Sequence, residues 1–316
     1  MQTISIIVPC CNEAAALPLF YDEATRVLSS MPVDYELLFV DDGSRDGTLA
    51  EMRRLAAADA HVKYVSFSRN FGKEAAMYAG FCNARGDYAA VMDCDLQHPP
   101  ALLPQMYELL QEGDCDSVAM RRQDRAGEPV VRSWFAHRFY RLINHISDAQ
   151  MMDGATDFRL MRREMVDAIV AMGEVNRFSK GIFSWVGFRT RWISAKIPPR
   201  AAGTTKWSFW GLVRYAVDGI VNFSQVPLSI ASFLGLAMTI SSFIMLVTIV
   251  VQKLSNVDYF VDGWASTTCI VLFAAGVQLL CLGIMSQYIA KLYLEAKRRP
   301  HYIAAESNIE PFDRIR

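Results

Sequence analysis

Short apolar runs separated by amphipathic stretches set the rhythm of the first 120 residues. The runs at 4–9, 36–40, 62–67, 88–92 and 117–120 are mostly hydrophobic, as expected for strands buried on both faces. Stretches with helical spacing lie between them, at 13–30, 46–58, 73–84 and 100–112. This alternation predicts an α/β domain built on a mostly parallel sheet with helices on both faces. Each run ends in a polar set: Asn12-Glu13, Asp41-Asp42, Arg69-Asn70, Asp93/Asp95 and Arg121-Arg122. Ligands gather at the carboxyl ends of the strands in such sheets, so the polar sets point to one site.

The pattern then changes. A basic amphipathic helix is predicted over 129–146, with Arg132, Arg138 and Arg141. A loop carrying Asp153 and Asp157 follows, then helices at 163–172 and 178–185 and a strand at 189–195. Residues 208–224 place Phe209/Trp210, Val213, Val217 and Ile220/Val221 on one face, with Trp207, Trp210 and Tyr215 suited to headgroup level. That segment reads as a helix lying on a bilayer, the alternative being a buried core helix. Residues 227–251 and 264–290 contain no Asp, Glu, Lys or Arg. At ~20 residues per crossing, each is long enough to span a membrane. Their connecting loop has one base, Lys253, whereas Lys291, Lys297, Arg298 and Arg299 follow the second span. The positive-inside rule then puts the N-terminal domain and the tail in the cytoplasm, as a multi-pass protein of the inner membrane. The expected division is a catalytic domain at 1–206, an interfacial helix at 207–225, spans at 226–251 and 264–290, an external loop at 252–263 and a tail at 291–316.

Composition narrows the possibilities. The chain has 316 residues, 52% of them hydrophobic, with the apolar excess after Val226. A net charge of −1 argues against a nucleic-acid binder with a broad basic face. The seven cysteines form no CxxC pair, which suits small buried hydrophobes in a reducing compartment. The N-terminus runs into a strand pattern without a basic leader, so no signal peptide is expected. There is no Ser-His-Asp pattern, Walker loop or GxGxxG, and the five histidines lack metal-ligand spacing.

Asp93 and Asp95 follow a fully apolar strand and precede Gln97-His98-Pro99-Pro100. Carboxylates there can hold Mg2+ or Mn2+ against diphosphate oxygens, although an acidic helix start looks similar. Asp41-Asp42-Gly43-Ser44 could accept hydrogen bonds from a base or ribose, while Asp46 also suits an ordinary helix cap. Arg69 and Lys73 flank Gly72 before a helix, a setting for phosphate or sugar contacts, though Lys73-Glu74 could be plain first-turn residues. Arg121, Arg122, Arg132, Arg138, Arg141, Arg200 and Lys206 form a second basic group, suited to a lipid phosphate or to solvent.

In order along the chain stand Ile7-Val8-Pro9-x-x-Asn12-Glu13, Val40-Asp41-Asp42-Gly43-Ser44, Arg69-Asn70-Phe71-Gly72-Lys73-Glu74 and Asp93-x-Asp95-Leu96-Gln97. They continue with Gly154-x-x-Asp157-Phe158-Arg159-Leu160-Met161, Phe178-x-Lys180-Gly181-Ile182 and Gly203-x-Thr205-Lys206-Trp207. As a set these resemble glycosyltransferase family 2, in particular the membrane-bound polyprenyl-phosphate glycosyltransferases related to dolichol-phosphate mannose synthase. The nearest likeness within that group is to bacterial undecaprenyl (bactoprenol) phosphate glucosyltransferases. The resemblance implies a GT-A, Rossmann-like catalytic domain that uses Mg2+ or Mn2+. It implies nucleotide contacts from Pro9, Glu13 and Asp42, to which the strand-end reading adds Asn12, Asp41, Arg69 and Lys73, and a metal-diphosphate site at Asp93, Asp95 and Gln97. It also implies an acceptor-phosphate group of Arg122, Arg132 and Lys206, to which Arg200 is added by its place just before Trp207 and the interfacial segment. Asp95 and Asp157 are the catalytic candidates, with Asp157 aligning the acceptor or taking its residual proton.

The implied reaction is inverting transfer of a hexose, glucose from UDP-glucose, to undecaprenyl phosphate for cell-surface glycan modification. Other donors (UDP-N-acetylglucosamine, UDP-galactose, GDP-mannose or an aminoarabinose nucleotide) would use the same chemistry. A catalytically dead membrane scaffold is the non-enzymatic alternative, and a homo-oligomer, a tetramer in the resemblance, is the implied assembly. Cys10-Cys11 departs from the hydrophobic or aromatic residues of relatives and touches no implied catalytic group.

Overall fold

The computed structural model describes residues 1–123, 138, 141, 143–147, 150–196, 217–254 and 264–310. The strands are β1 (Thr3–Cys10), β2 (Asp34–Asp41), β3 (Val62–Phe67), β4 (Tyr88–Val91), β5 (Ser117–Arg122), β6 (Ala155–Arg162), β7 (Thr190–Ala195) and β8 (Ala304–Ser307). They form one eight-stranded sheet in the order β7-β5-β6-β4-β1-β2-β3-β8. The helices are α1 (Leu17–Leu28), α2 (Thr48–Ala58), α3 (Lys73–Asn83), α4 (Leu103–Gln111), α5 (Arg163–Ala171), α6 (Ser179–Trp185), α7 (Val226–Leu254) and α8 (Trp264–Ala296).

Alternation along the central strands divides the core into two layers. Ile4, Ile6 and Val8 of β1 join Phe20, Leu28, Met52 and Met106 on one face. Ile7 points the other way, into a layer with Ala76, Phe81, Met165, Ile182 and Phe183. Both faces of β1 are therefore dry, which is why its sequence is mostly apolar, the one fully buried polar residue, Ser5, being hydrogen-bonded to Glu36 and the Gly86 amide.

The five strands expected from the N-terminal pattern are present, and β1 pairs in parallel with both β2 and β4. Two strands lie where other structure was expected. The loop expected around Asp157 is β6, which runs antiparallel between β4 and β5. Its alternation of Phe158 and Leu160 with Arg159 and Met161 sends side chains to the two opposite core layers.

The tail expected over 291–316 is not separate from the domain. The second long helix continues to Ala296, and residues 304–307 return as β8, antiparallel to β3 at the sheet edge. The exposed edge of β3 is thereby covered. Tyr302 is 0% exposed, its ring stacked on Phe67 with centroids 5.0 Å apart. Asn308 accepts from the Tyr64 amide at 2.7 Å, and Glu306 accepts from the Tyr64 hydroxyl at 2.5 Å.

Residues 226–251 and 267–296 are long and apolar enough to cross a bilayer. The 33 residues of α8 extend ~50 Å at 1.5 Å per residue, well beyond a ~30 Å hydrocarbon core. Its last turns attach to the rest of the protein. The Tyr288 hydroxyl donates to the Ser224 carbonyl at 2.7 Å, and Lys291 pairs with Asp218 at 2.7 Å. Glu295 accepts from the Val175 and Asn176 amides at 2.8 and 3.0 Å.

Tyr302→Ala removes the stacked ring that holds the returning strand. It should cost about 3 kcal/mol of stability, by analogy with other buried aromatic truncations. Thermal unfolding in detergent, with amide exchange over 62–67 and 304–307, checks this. An unchanged midpoint and unchanged exchange would show that the tail contributes nothing to the domain.

Candidate active site

The site is built at one end of the sheet, where β1, β2, β3 and β4 finish and β6 begins. Asp41 is buried and turned inward, accepting from the Ser44 amide at 3.0 Å and the Ser66 hydroxyl at 2.7 Å. Asp42 accepts from the Phe71 amide at 2.6 Å and the Gly72 amide at 3.0 Å. Burial pushes the Asp42 carboxyl up, and these two amides pull against it. Gly43 has φ +64°, and a Cβ there would lie 2.4 Å from the Arg69 carbonyl carbon. Only glycine allows the loops after β2 and β3 to meet backbone to backbone at this point. Arg69 lies over the Phe71 ring at 4.0 Å and donates to the Asn70 carbonyl at 3.0 Å.

Asn12 links loops as well. It has φ 56°, donates its amide to Ser44 Oγ at 2.8 Å and accepts from the Arg45 amide at 2.8 Å. The Glu13 amide donates to Thr48 Oγ1 at 2.9 Å. Pro9 is the penultimate residue of β1, beside Val40 of β2. Pro9, Asn12, Glu13, Asp41, Asp42 and Arg69 thus converge on three adjacent loops, several of them engaged in holding those loops in place.

Lys73 reaches a pair of carboxylates. It opens α3, and its ammonium bridges Asp93 Oδ1 at 2.6 Å and Asp157 Oδ2 at 2.7 Å. The register Val91↔Arg159 between antiparallel β4 and β6, carried on by two residues, sets Asp157 across from Asp93. Burial favours the neutral forms, yet the Asp157 and Asp93 charges hold Lys73 well above its ordinary range. Burial raises Asp157 in turn, and Lys73 followed by Lys180 pulls it far below the usual carboxylate range. Asp93 is lowered likewise: burial opposes the change, and the Lys73 charge drives it.

The turn after β4 is fixed by its own backbone. The Asp93 amide donates to His98 Nδ1 at 3.0 Å, and Asp95 Oδ1 accepts from the Gln97 amide at 3.0 Å. Leu96 takes φ 59° between them. His98 is buried against Phe158, and burial pushes its pKa down, so its Nδ1 serves as an acceptor. The histidine without metal-ligand spacing therefore sets the shape of the Asp93–Asp95 turn.

Three more residues complete the cluster, and the sequence motifs had contained them without a role. Glu74 is buried next to Lys73 and accepts from the Ser179 amide at 3.0 Å and from the Ser179 hydroxyl. Burial raises its pKa. Arg159 is 3% exposed and lies over the Phe183 ring at 4.0 Å. Burial lowers Arg159 to about 9, with Asp157 pulling the other way, and its Nε has no hydrogen-bond partner among the described residues. Lys180, on α6, is the third. The period-2 alternation of 156–160 was the available signal that Asp157 and Arg159 share one side of a strand.

Of the expected acceptor group, only Arg122 is placed: it ends β5, its amide donating to the Gly154 carbonyl at 2.9 Å. Arg132, Arg200 and Lys206 lie outside the described residues. Arg138 and Arg141 line an open cavity of about 800 Å3 with Asn144 and His145. Among the described residues, no group of three or more His, Cys, Asp or Glu side chains is arranged to hold a metal by itself.

The chain has clear relatives. The glycosyl transferase family 2 profile matches residues 5–170. The chain is 42% identical over 306 residues to the putative glycosyltransferase CsbB of Bacillus subtilis, covering 97% of this chain and 92% of that protein. It is 38% identical over 305 residues to the SfII prophage-derived bactoprenol glucosyl transferase of Shigella flexneri, covering 96% and 98%. Among solved structures, glucosyl-3-phosphoglycerate synthase from Mycobacterium tuberculosis aligns with 70% of this chain and 76% of its own, at 20% identity and a TM-score of 0.47.

The Lys73 bridge has a pH signature. Asp157, held below the ordinary 3.8, adds stability above that pH and loses it as the pH falls further. Lys73, held above the ordinary 10.5, loses its contribution only as the pH rises beyond that value. The bridge should therefore contribute evenly between about pH 5 and 9. In Lys73→Met two carboxylates face each other, and one is pushed up. Relative to the native protein, this variant should lose stability as the pH climbs from about 4 to about 7 in buffer without divalent ions. Thermal midpoints across that range test it, and a parallel pH dependence for the two proteins would contradict the bridge.

Proposed function

The chain belongs to glycosyltransferase family 2, and we propose that it transfers glucose from UDP-glucose, with inversion, to undecaprenyl phosphate held in the membrane. One observation carries this reading. The strand-end cluster of Asp93, Asp95, Asp157 and Lys73 sits in a sheet whose last strand returns from two helices long enough to cross a bilayer. A soluble donor and a lipid acceptor then meet where the two parts join. The names of relatives such as the Shigella flexneri bactoprenol glucosyl transferase support the same reading.

The donor set suits a divalent ion. Mg2+ and Mn2+ take oxygen ligands, and Mg2+ in particular is commonly held by one or two carboxylates with substrate phosphate and water completing the shell. Asp93 and Asp95 supply two carboxylates within one turn, and Gln97 lies beside them. Substrate diphosphate oxygens and water would complete the shell around these two carboxylates. When bound, the ion neutralises charge on the leaving nucleotide diphosphate.

The chain's own residues would do the rest. Asn12, Asp41 and Asp42 hold the loops that receive the nucleotide, and Pro9, Glu13 and Arg69 complete its surroundings. Lys73 keeps Asp93 and Asp157 ionised side by side. An Asp157 held so far below the usual carboxylate range is a weak base, so its part is to align the acceptor. That is sufficient, because a phosphate monoester already carries about −1.5 to −2 near neutral pH. Rate acceleration then comes from alignment and from charge stabilisation at the leaving group.

The sheet also constrains topology. With α7 and α8 spanning, strands before and after the hairpin share one sheet and so lie on one side of the membrane. The basic residues after the second span make that side the cytoplasm.

Two measurements follow. Purified Asp95→Asn should keep its melting temperature and lose transfer from UDP-glucose to undecaprenyl phosphate by at least about a hundredfold. Excess EDTA should stop the native protein. Transfer surviving either treatment would remove the metal assignment. Separately, a cysteine at Ser255 should be labelled by an impermeant reagent from outside the cell, while an epitope after Arg316 stays protected. An exposed epitope would overturn the topology.

A further inference from the structure

α6 stands between the catalytic cluster and the start of the first long helix, and Lys180 is its second residue. The residue before it is bound to the cluster: Ser179 donates its amide and hydroxyl to Glu74, the neighbour of Lys73. The residue after it is packed against the membrane root. A Cβ at Gly181 would lie 2.4 Å from the Phe223 ring, so only a hydrogen there allows so close an approach. Phe223 is three residues before α7 begins, and its ring also meets Phe178 at 5.9 Å. The strand of chain just before α6 is tied to the membrane helices too. Asn176 accepts from Asn222 at 2.9 Å and donates its amide to Glu295 of α8 at 3.0 Å.

Lys180 is thus pinned between two fixed contacts, one catalytic and one at the base of the hairpin. Its stem is half-buried, and its ammonium forms no ion pair among the described residues. The charge reaches the cluster, since after Lys73 it is the main influence holding Asp157 ionised. Lys73 itself is already matched by Asp93 and Asp157. Lys180 is therefore a cation without an ion pair among the described residues, carried on a helix fixed both to the carboxylate cluster and to the base of the first long helix.

We infer that the Lys180 ammonium binds the phosphate of the membrane-held acceptor, beside Asp157, as the contact that brings the lipid headgroup into the catalytic cluster. This rests on the reading that the acceptor is a polyprenyl phosphate. A nucleotide diphosphate offers similar chemistry, so donor binding must be measured alongside.

The test uses the full-length purified protein with undecaprenyl phosphate and UDP-glucose. The native protein comes first: failure to transfer to the lipid would sink the proposed function and not the role of Lys180 within it. Given transfer, Lys180→Met should raise the KM for undecaprenyl phosphate at least about tenfold, as expected for losing one charge-assisted bond. Lys180→Arg should restore most of it. UDP affinity by calorimetry and the melting temperature should stay at native values in both variants. An unchanged acceptor KM in Lys180→Met overturns the inference, whether or not kcat falls. So does a loss of UDP affinity matching the rise in KM, which would assign Lys180 to the donor. Should Lys180→Met melt early, Lys180→Gln, which keeps a polar stem, replaces it under the same criteria.

Discussion

Asp93 and Asp157 occupy facing positions on adjacent strands, and Lys73 makes it possible for both to stay ionised there. Two carboxylates this close would otherwise share a proton, because like charges at short range push one pKa up. The rest of the site follows from placing that ammonium. α3 must begin at Lys73, so the preceding Gly72 amide is held by Asp42 at the end of β2. The next residue, Glu74, then binds Ser179 and draws α6 against the cluster. One ionic bridge therefore ties together β2, α3, β4, β6 and α6.

The same elements connect the chemistry to the hairpin. The two long helices reach the domain through the root formed by Phe223, Asn222, Ser224, Tyr288 and Glu295, which packs on α6 and residues 175–176, and through β8 at one edge of the sheet. The ion pairs at the protein surface, such as Arg53 with Glu306, add little by themselves. The buried Tyr302 ring and the backbone ladder of β8 are the stronger attachments. The sheet domain is thus attached to the two long helices at two separate places, which restrains how it can move relative to them.

The central sheet was legible because strands buried on both faces must be mostly apolar, and β1 to β5 are short, mostly apolar runs. β6 escaped because its face toward α6 carries Asp157 and Arg159, polar residues that mask the alternation of Phe158 and Leu160. β8 is four residues, AAES, with a single neighbour, and nothing local distinguishes it from a tail. Its place is decided by Tyr302 meeting Phe67, a contact more than two hundred residues apart in sequence. In the site, the strand-end positions of Asp42, Asp93 and Asp95 were legible in the sequence. That the Lys73 ammonium would reach Asp93 and Asp157 was not, since a long side chain can turn either way. Lys180 and Glu74 stood in recognised motifs, but their meaning depends on the packing of α6 between α3 and Phe223, which is a tertiary fact.

The central claim is that a sugar passes directly from a nucleotide to a phosphate that stays in the membrane. Phosphorus NMR of undecaprenyl phosphate in vesicles containing the purified protein tests this most directly. On adding UDP-glucose, the monoester resonance should convert to a phosphodiester resonance, one equivalent for each UDP released. UDP appearing while the monoester signal stays constant would show hydrolysis in place of transfer. A new diphosphate resonance on the lipid would show transfer of a sugar phosphate, and either result would contradict the account.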